Sequence, residues 1–248
     1  MNRGIFSGAS IRFLEHIPAL ESLVLHDWKI KSLASITTLK NLDELSIGSR
    51  SAKPISLAQL LNVRILGLDF HCDEWEWTKL PNLEQLFLGD FPHSDLSSFD
   101  TLQPIVNLDI IAPQLESFRG LRLSRLEKLE VRNSRKLKSI EGIEECEKLE
   151  DIHFNGSTLH SMESVRQLPS LRRILLSDCR HIESILALKE CPELDDLIIY
   201  GSSNIRDGRI KWLLDMPNLK KVWIRPRKHY DIPAEELNAI FERRAGKI

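Results

Sequence analysis

The amino-acid sequence predicts an α/β solenoid in which short repeats stack so that one strand from each joins a curved parallel sheet. Tight turns are expected on the opposite, convex side, and a helix is expected to cap the C-terminus. Two observations carry this. The pattern Leu-x-x-Leu-x-Leu, with Ile, Val or Phe as substitutes, starts at Leu20, Leu42, Val63, Leu83, Ile105, Leu126, Leu149, Leu171, Leu194 and Leu219. These starts lie 20 to 25 residues apart, and a steady internal period of that size marks a stack of like units. Three residues before each start stands a second apolar column: Ile17, Leu39, Leu60, Leu80, Leu102, Leu123, Cys146, Leu168, Cys191 and Met216. One unit cannot bury its own leucines, so both columns are expected to face a core that exists only when neighbours stack.

The elements follow in chain order. Residues 1–19 read as a degenerate first unit or cap around Ile11 and Leu14, residues 20–227 as about ten repeats, and residues 228–248 as the capping helix, all in one structural domain. Residues four to six of each unit, Leu23-Val24-Leu25 in the first, form a strand whose alternate side chains point in and out. Beyond the strand, apolar residues recur every third position, as in Ile30, Leu33, Ile36 and Leu39, or Leu137, Ile140, Ile143 and Cys146. A period of three suits 3₁₀ turns better than an α-helix. The ninth unit is the longest, and Asp207–Asp215 is expected to be a true helix there. Asp231 is expected to cap a helix from Pro233 to Ala245 whose Leu237, Ile240 and Phe241 form one apolar face.

Units such as Leu126-Glu-Lys-Leu129-Glu-Val131, continued by Leu137, Ile140 and Ile143, resemble the leucine-rich-repeat family. The likeness is to the short type of about 22 residues found in bacterial internalin-like proteins, and it spans roughly residues 11–227. The family's usual Asn or Cys, three residues after the last strand leucine, appears here as Ser134, Ser157, Cys179 and Ser202. Earlier units place Trp28, Arg50, His71, Phe91 and Pro113 there, so the N-terminal half is expected to be less regular.

Composition bounds the function. The formal net charge of -2 argues against a general polyanion binder. No apolar run reaches the roughly 18 residues of a membrane helix. Glu15 and His16 interrupt what would be a secretion signal, so a reducing cytoplasm is the expected compartment. The cysteines show no metal-ligand spacing: Cys146 and Cys191 sit in a core column, Cys179 at the turn position, and Cys72 is unassigned. No phosphate-cradling glycine loop, His-Glu-x-x-His or Gly-x-Ser-x-Gly is present, and the eight histidines fall in different repeats without a nucleophile at matching positions. The expectation is therefore a protein that is not an enzyme, with no cofactor, metal or small-molecule substrate. At least one of Trp75 and Trp77 is expected in the core, the other being a candidate convex-side contact.

In such a stack the third, fifth and seventh residues of each unit project from the concave sheet and are expected to be exposed. Leu175, Ile198, Tyr200 and Trp223 then form an apolar patch on three adjacent strands, rimmed by Arg173, Asp196, Lys221 and Arg225. An aromatic centre with a charged rim is the composition of a protein-binding hot spot; the competing reading is that the C-terminal helix or tail covers it. A second, polar zone comprises Asp109, Glu130, Arg132, Asp151, His153 and Asn155, with an ordinary solvated face as its competing reading. The C-terminal end is locally basic through Lys220, Lys221, Arg225, Arg227, Lys228, His229, Arg243, Arg244 and Lys247.

These features point to a protein partner bound on the concave face. The expected role is an inhibitor of the immunity type that occludes a toxin or enzyme. The alternatives are a regulatory or scaffold subunit that positions an enzyme, and nucleic-acid binding through the basic end, for which the net charge is unfavourable.

Overall fold

A computed structural model describes residues 10–27, 29–69, 75–99 and 104–246. The chain divides into two compact units, Met1–Phe91 with Gln103–Ile105, and Pro92–Leu102 with Val106–Ile248.

The first unit carries four parallel strands in chain order: β1 (Ser22–Leu25), β2 (Glu44–Ile47), β3 (Ile65–Leu68) and β4 (Gln85–Leu88). Leu23, Leu45, Leu66 and Leu86 are in register, as are Leu25, Ile47, Leu68 and Leu88, and all are buried. The second carries six: β5 (Asn107–Ile111), β6 (Lys128–Arg132), β7 (Asp151–Asn155), β8 (Arg173–Ser177), β9 (Asp196–Tyr200) and β10 (Lys221–Ile224). Here Leu108, Leu129, Ile152, Ile174, Leu197 and Val222 align, and so do Ile110, Val131, Phe154, Leu176, Ile199 and Ile224. Every residue of these two columns is at most 3% exposed. The two-residue period of a strand puts both columns on one face and leaves the other open.

The period-three segments Ala34–Thr38, Glu163–Gln167 and Leu186–Glu190 are 3₁₀ turns, as expected, whereas Leu137 to Cys146 is a run of tight turns without a 3₁₀ helix. Ile36 N–H donates to Leu33 C=O at 2.9 Å and Leu39 N–H to Ile36 C=O at 3.0 Å. The same step of three links Met162, Val165 and Leu168, and then Ile185, Leu188 and Cys191. Each such bond sets the next apolar residue over the last, facing the sheet. Cys146 and Cys191 are packing residues with no exposure, and burial pushes their thiols up to about 12 and about 11. Trp75 and Trp77 are both buried, so neither is a contact on the turn side. Cys72 lies outside the described residues.

Four expectations are corrected. The column of Ile17 and Met216 is buried at Leu39, Leu60, Leu80, Leu123, Cys146, Leu168 and Cys191 but not at its ends, where Ile17 is 43% exposed and Met216 half-buried; Leu102 lies outside the described residues. Burial of this column requires a repeat on each side. The segment Lys211–Asp215 is another 3₁₀ turn rather than an α-helix. The helix α1 (Ala234–Arg244) has no side-chain cap; Asp231 instead accepts the N–H groups of Ile210 and Lys211, both at 2.9 Å, and so caps the preceding 3₁₀ turn. Leu237 and Phe241 of α1 are buried while Ile240 is only half so.

The fourth concerns the turn after the strand. Ser134, Ser157 and Cys179 are buried at the expected place, each preceded by a left-handed residue: Asn133, Gly156 and Asp178. In the next repeat the left-handed residue is Gly201, with φ 66°, and one extra residue follows it. The buried place therefore falls to Ser203, whose Oγ accepts from Cys179 N–H at 3.0 Å and donates to Leu176 C=O at 3.2 Å. Ser202 instead bonds the Asp178 carboxylate. Earlier units fill the place in different ways: Ser49, Phe91 and Ala112 are buried there, while Arg50 is exposed and Pro113 half-buried. Trp28 and His71 lie outside the described residues.

Candidate functional site

The register of β5–β10 fixes three rows on the open sheet face. Third positions run Asn107, Lys128, Asp151, Arg173, Asp196, Lys221, and fifth positions Asp109, Glu130, His153, Leu175, Ile198, Trp223. Seventh positions run Ile111, Arg132, Asn155, Ser177, Tyr200, with Arg225 just past β10. The residues of the apolar and polar zones all lie in these rows.

In the apolar zone Leu175 and Ile198 are half-buried, Tyr200 is 37% exposed and Trp223 41%. The helix α1 does not cover them. It packs on β10, where Asn238 Oδ1 accepts the Ile224 N–H and its Nδ2 donates to the Ile224 C=O, both at 2.9 Å. One side chain thereby supplies at that residue the two hydrogen bonds that another strand would have made.

The expectation that these positions are exposed in every repeat fails at Asp196 and Ser177 here, and at Gly67 and Gly89 in the first unit. Asp196 is 7% exposed because Lys221 Nζ and Arg173 Nε converge on its Oδ2 at 3.0 and 3.3 Å. Ser177 is wholly buried and receives a 2.5 Å hydrogen bond from Asn155 Nδ2.

The polar zone is an internal ion-pair chain. Arg132 clasps Asp109 with both oxygens engaged, at 3.1 and 2.7 Å, and its Nε lies 3.5 Å from Glu130 Oε1, which also lies 3.3 Å from His153 Nδ1. Burial raises the Asp109 carboxyl above its ordinary value in spite of the guanidinium. Arg173 forks between Asp151, at 3.3 Å, and Asp196, and both carboxylates hold its own pKa up. On this face His153 Nε2 and Asp196 Oδ1 are buried without a hydrogen-bond partner, as Ser134 Oγ and Asn204 Oδ1 are elsewhere among the described residues.

The basic C-terminal end is used structurally. Arg225 donates to Gly201 C=O at 2.8 Å and Arg227 to Ser203 C=O at 2.9 Å, while His229 Nε2 lies 2.8 Å from Ile205 C=O. Arg244 reaches Leu214 C=O at 3.2 Å. The last extended segment is thus tied by side chains to carbonyls of the repeat before it. Lys247 lies outside the described residues.

Sequence reasoning missed one arrangement. In the first unit Ser46 Oγ lies 3.3 Å from His26 Nε2, and His26 Nδ1 lies 3.2 Å from Asp69 Oδ2. His26 and Asp69 stand two strands apart and meet over Gly48, where any Cβ would strike both side chains. A glycine flanked in its row by an acid and an imidazole was the available signal. Serine, imidazole and carboxylate in this order can pass a proton. However, the neighbouring N–H groups of Gly48 and Asp69 are committed to the Leu25 and Ile47 carbonyls and cannot stabilise an oxyanion.

No helix among the described residues is long and apolar enough to cross a membrane. No protein-family model and no curated protein matches the chain. Solved structures do match. An internalin of Listeria monocytogenes is 20% identical with a TM-score of 0.59, over 87% of this chain and 72% of that one. Internalin C2 of the same organism is 16% identical with a TM-score of 0.57, over 75% and 84%. A leucine-rich-repeat protein of Leptospira interrogans is 17% identical with a TM-score of 0.53, over 86% and 62%. At these identities the likeness is one of fold, and together with the repeat register above it shows that this chain folds as a leucine-rich-repeat solenoid.

Proposed function

We propose that this chain is a non-enzymatic binding module that holds a partner protein against the β5–β10 face and inhibits it by occlusion, in the manner of an immunity protein. The observation that supports the binding reading is the exposure of Trp223 and Tyr200 beside half-buried Leu175 and Ile198, with α1 packed elsewhere. Large rings left in water at adjacent strands are the anchors such interfaces use. Size refines this. Six strands span about 24 Å and five residues about 16 Å, a projected area of roughly 400 Å² against about 800 Å² per partner in a standard interface. A partner centred on this face therefore also touches the loops at the strand ends.

The ion-pair chain holds the polar side chains in place before binding, which lowers the ordering cost of association. A rigid, mixed-charge face supports occlusion. Nucleic-acid binding through the C-terminal end has less support, since Arg225, Arg227 and Arg244 are engaged with carbonyls and Lys220 and Lys221 with carboxylates.

The test is affinity capture of a partner, with Trp223→Ala/Tyr200→Ala protein of unchanged circular dichroism as control, followed by assay of the partner's own activity in the complex. Capture that depends on both rings, with activity lost, is the expected result. Activity kept in the complex would replace inhibition by scaffolding. Capture unaffected by the double substitution would remove the site from this face.

A further inference from the structure

We infer that the partner meets the β8–β10 end of this face with an acidic protein surface. This rests on the binding reading above and specifies the partner's chemistry. Two carboxylates here are each shared by two cations. Asp195 lies 3.5 Å from Arg172 Nη2 and 3.6 Å from Lys220 Nζ, and Asp196 binds Arg173 and Lys221. The cations stand outward and the anions are sunk. Side-chain exposure is 52% at Arg172, 54% at Arg173, 75% at Lys220 and 51% at Lys221, against 26% at Asp195 and 10% at Asp196.

Arg225 is exposed at the far side of the patch. Asp151 on β7 acts on Arg173 and Asp178 acts on Arg225, so five cations face four carboxylates. The outward positive charge comes mainly from the sinking of Asp195 and Asp196 beneath their partners, in a chain whose net charge is -2. The positive charge is therefore local and surrounds the aromatic centre, and a complementary partner places acidic residues around an apolar anchor. The anchor argues for protein over nucleic acid. Leu175 and Ile198, in register beside Trp223, offer no ring for a run of bases to stack on.

The experiment uses four fluorescent probes on the full chain, read by anisotropy. They are an amphipathic peptide of glutamate, leucine and one tryptophan, its glutamine and lysine counterparts, and an oligothymidylate of the acidic peptide's charge. At low salt the acidic peptide is expected to bind about tenfold tighter than the glutamine peptide, the scale of two or three exposed charge pairs, and the lysine peptide weakest. The gap should close at high salt. Lys220→Gln/Arg225→Gln should weaken the acidic peptide about tenfold and spare the glutamine one, whereas Trp223→Ala should weaken both.

Equal binding of acidic and glutamine peptides, both lost in Trp223→Ala, would overturn the acidic partner and leave the binding face standing. Acidic binding indifferent to Trp223→Ala would overturn the face itself. Tighter binding of the oligothymidylate, or no peptide bound at any salt, would also overturn the inference.

Discussion

The end of the second unit depends on one side chain, and Asn238→Ala tests that dependence. Ile224 has no solvent exposure, and its N–H and C=O are both satisfied by the Asn238 amide at 2.9 Å. Truncation leaves one buried donor and one buried acceptor without those partners, at about 1–3 kcal/mol each when water cannot reach them. Partial fraying of α1 would admit water and recover some of this, so the expected net loss is roughly 2–4 kcal/mol. Hydrogen–deuterium exchange on the β10 amides reads it directly, because every 1.4 kcal/mol is about tenfold in the opening equilibrium. Protection at Ile224 should fall roughly 30- to 1000-fold while β6 and β7, four and three strands away, keep theirs, since coupling in a stack runs mainly between adjacent repeats. Asn238→Asp keeps the acceptor and loses the donor, and should fall between wild type and Ala. Protection at Ile224 within threefold of wild type would refute the reasoning and make α1 a merely adjacent helix.

Three further predictions rest on single observations. Gly48→Ala should cost about 1–3 kcal/mol in urea unfolding by driving His26 from Asp69, and adding His26→Ala should recover most of it. Carbon NMR should place the Asp109 titration above the usual carboxylate range, because burial outweighs Arg132. With the folded value raised, the neutral form is the one folding favours. Its contribution is fully present below the ordinary value of 3.8 and lost as pH rises through the folded value, so Asp109→Asn should leave stability at pH 7 unchanged or higher. Cys146 and Cys191 should resist iodoacetamide at pH 8 until urea is added, as peptide mass spectrometry would show. Their raised thiol values mean that the urea midpoint falls as pH climbs from the ordinary 9.0 toward about 11, where the unfolded chain ionises first.

The apolar columns were legible because a leucine counted along the sequence can be placed without knowing its partners. So were the period-three turns, since the spacing of Leu33, Ile36 and Leu39 is also the spacing of their hydrogen bonds. What failed depended on contacts some twenty or more residues away. Asp231 looks like a helix cap locally, yet its carboxylate receives Ile210 and Lys211 from the preceding repeat. Ser202 and Ser203 differ only by the extra residue after Gly201, which counting cannot locate. Asp196 was placed on the correct face, but its burial comes from Arg173 and Lys221 on the flanking strands. The pairing of His26 with Asp69 spans three repeats and needs the vacancy at Gly48 between them.

The position of Trp223 raises a question that the register helps to answer. A ring on the last strand is exposed partly because no strand lies beyond it, and exposure alone would then be an edge effect. The same edge argument holds for its strand neighbours Lys221 and Arg225, which are likewise exposed and are charged. No inward packing constrains the residue at 223, because the core of β10 is built from Val222 and Ile224. An end with only a capping duty would carry a polar side chain there, since exposed rings on a soluble surface invite association. Indole at that place, in register with Ile198 and Leu175 and one strand from Tyr200, continues an apolar run outward to the edge. The choice of residue, rather than its exposure, is what favours a binding role for this face.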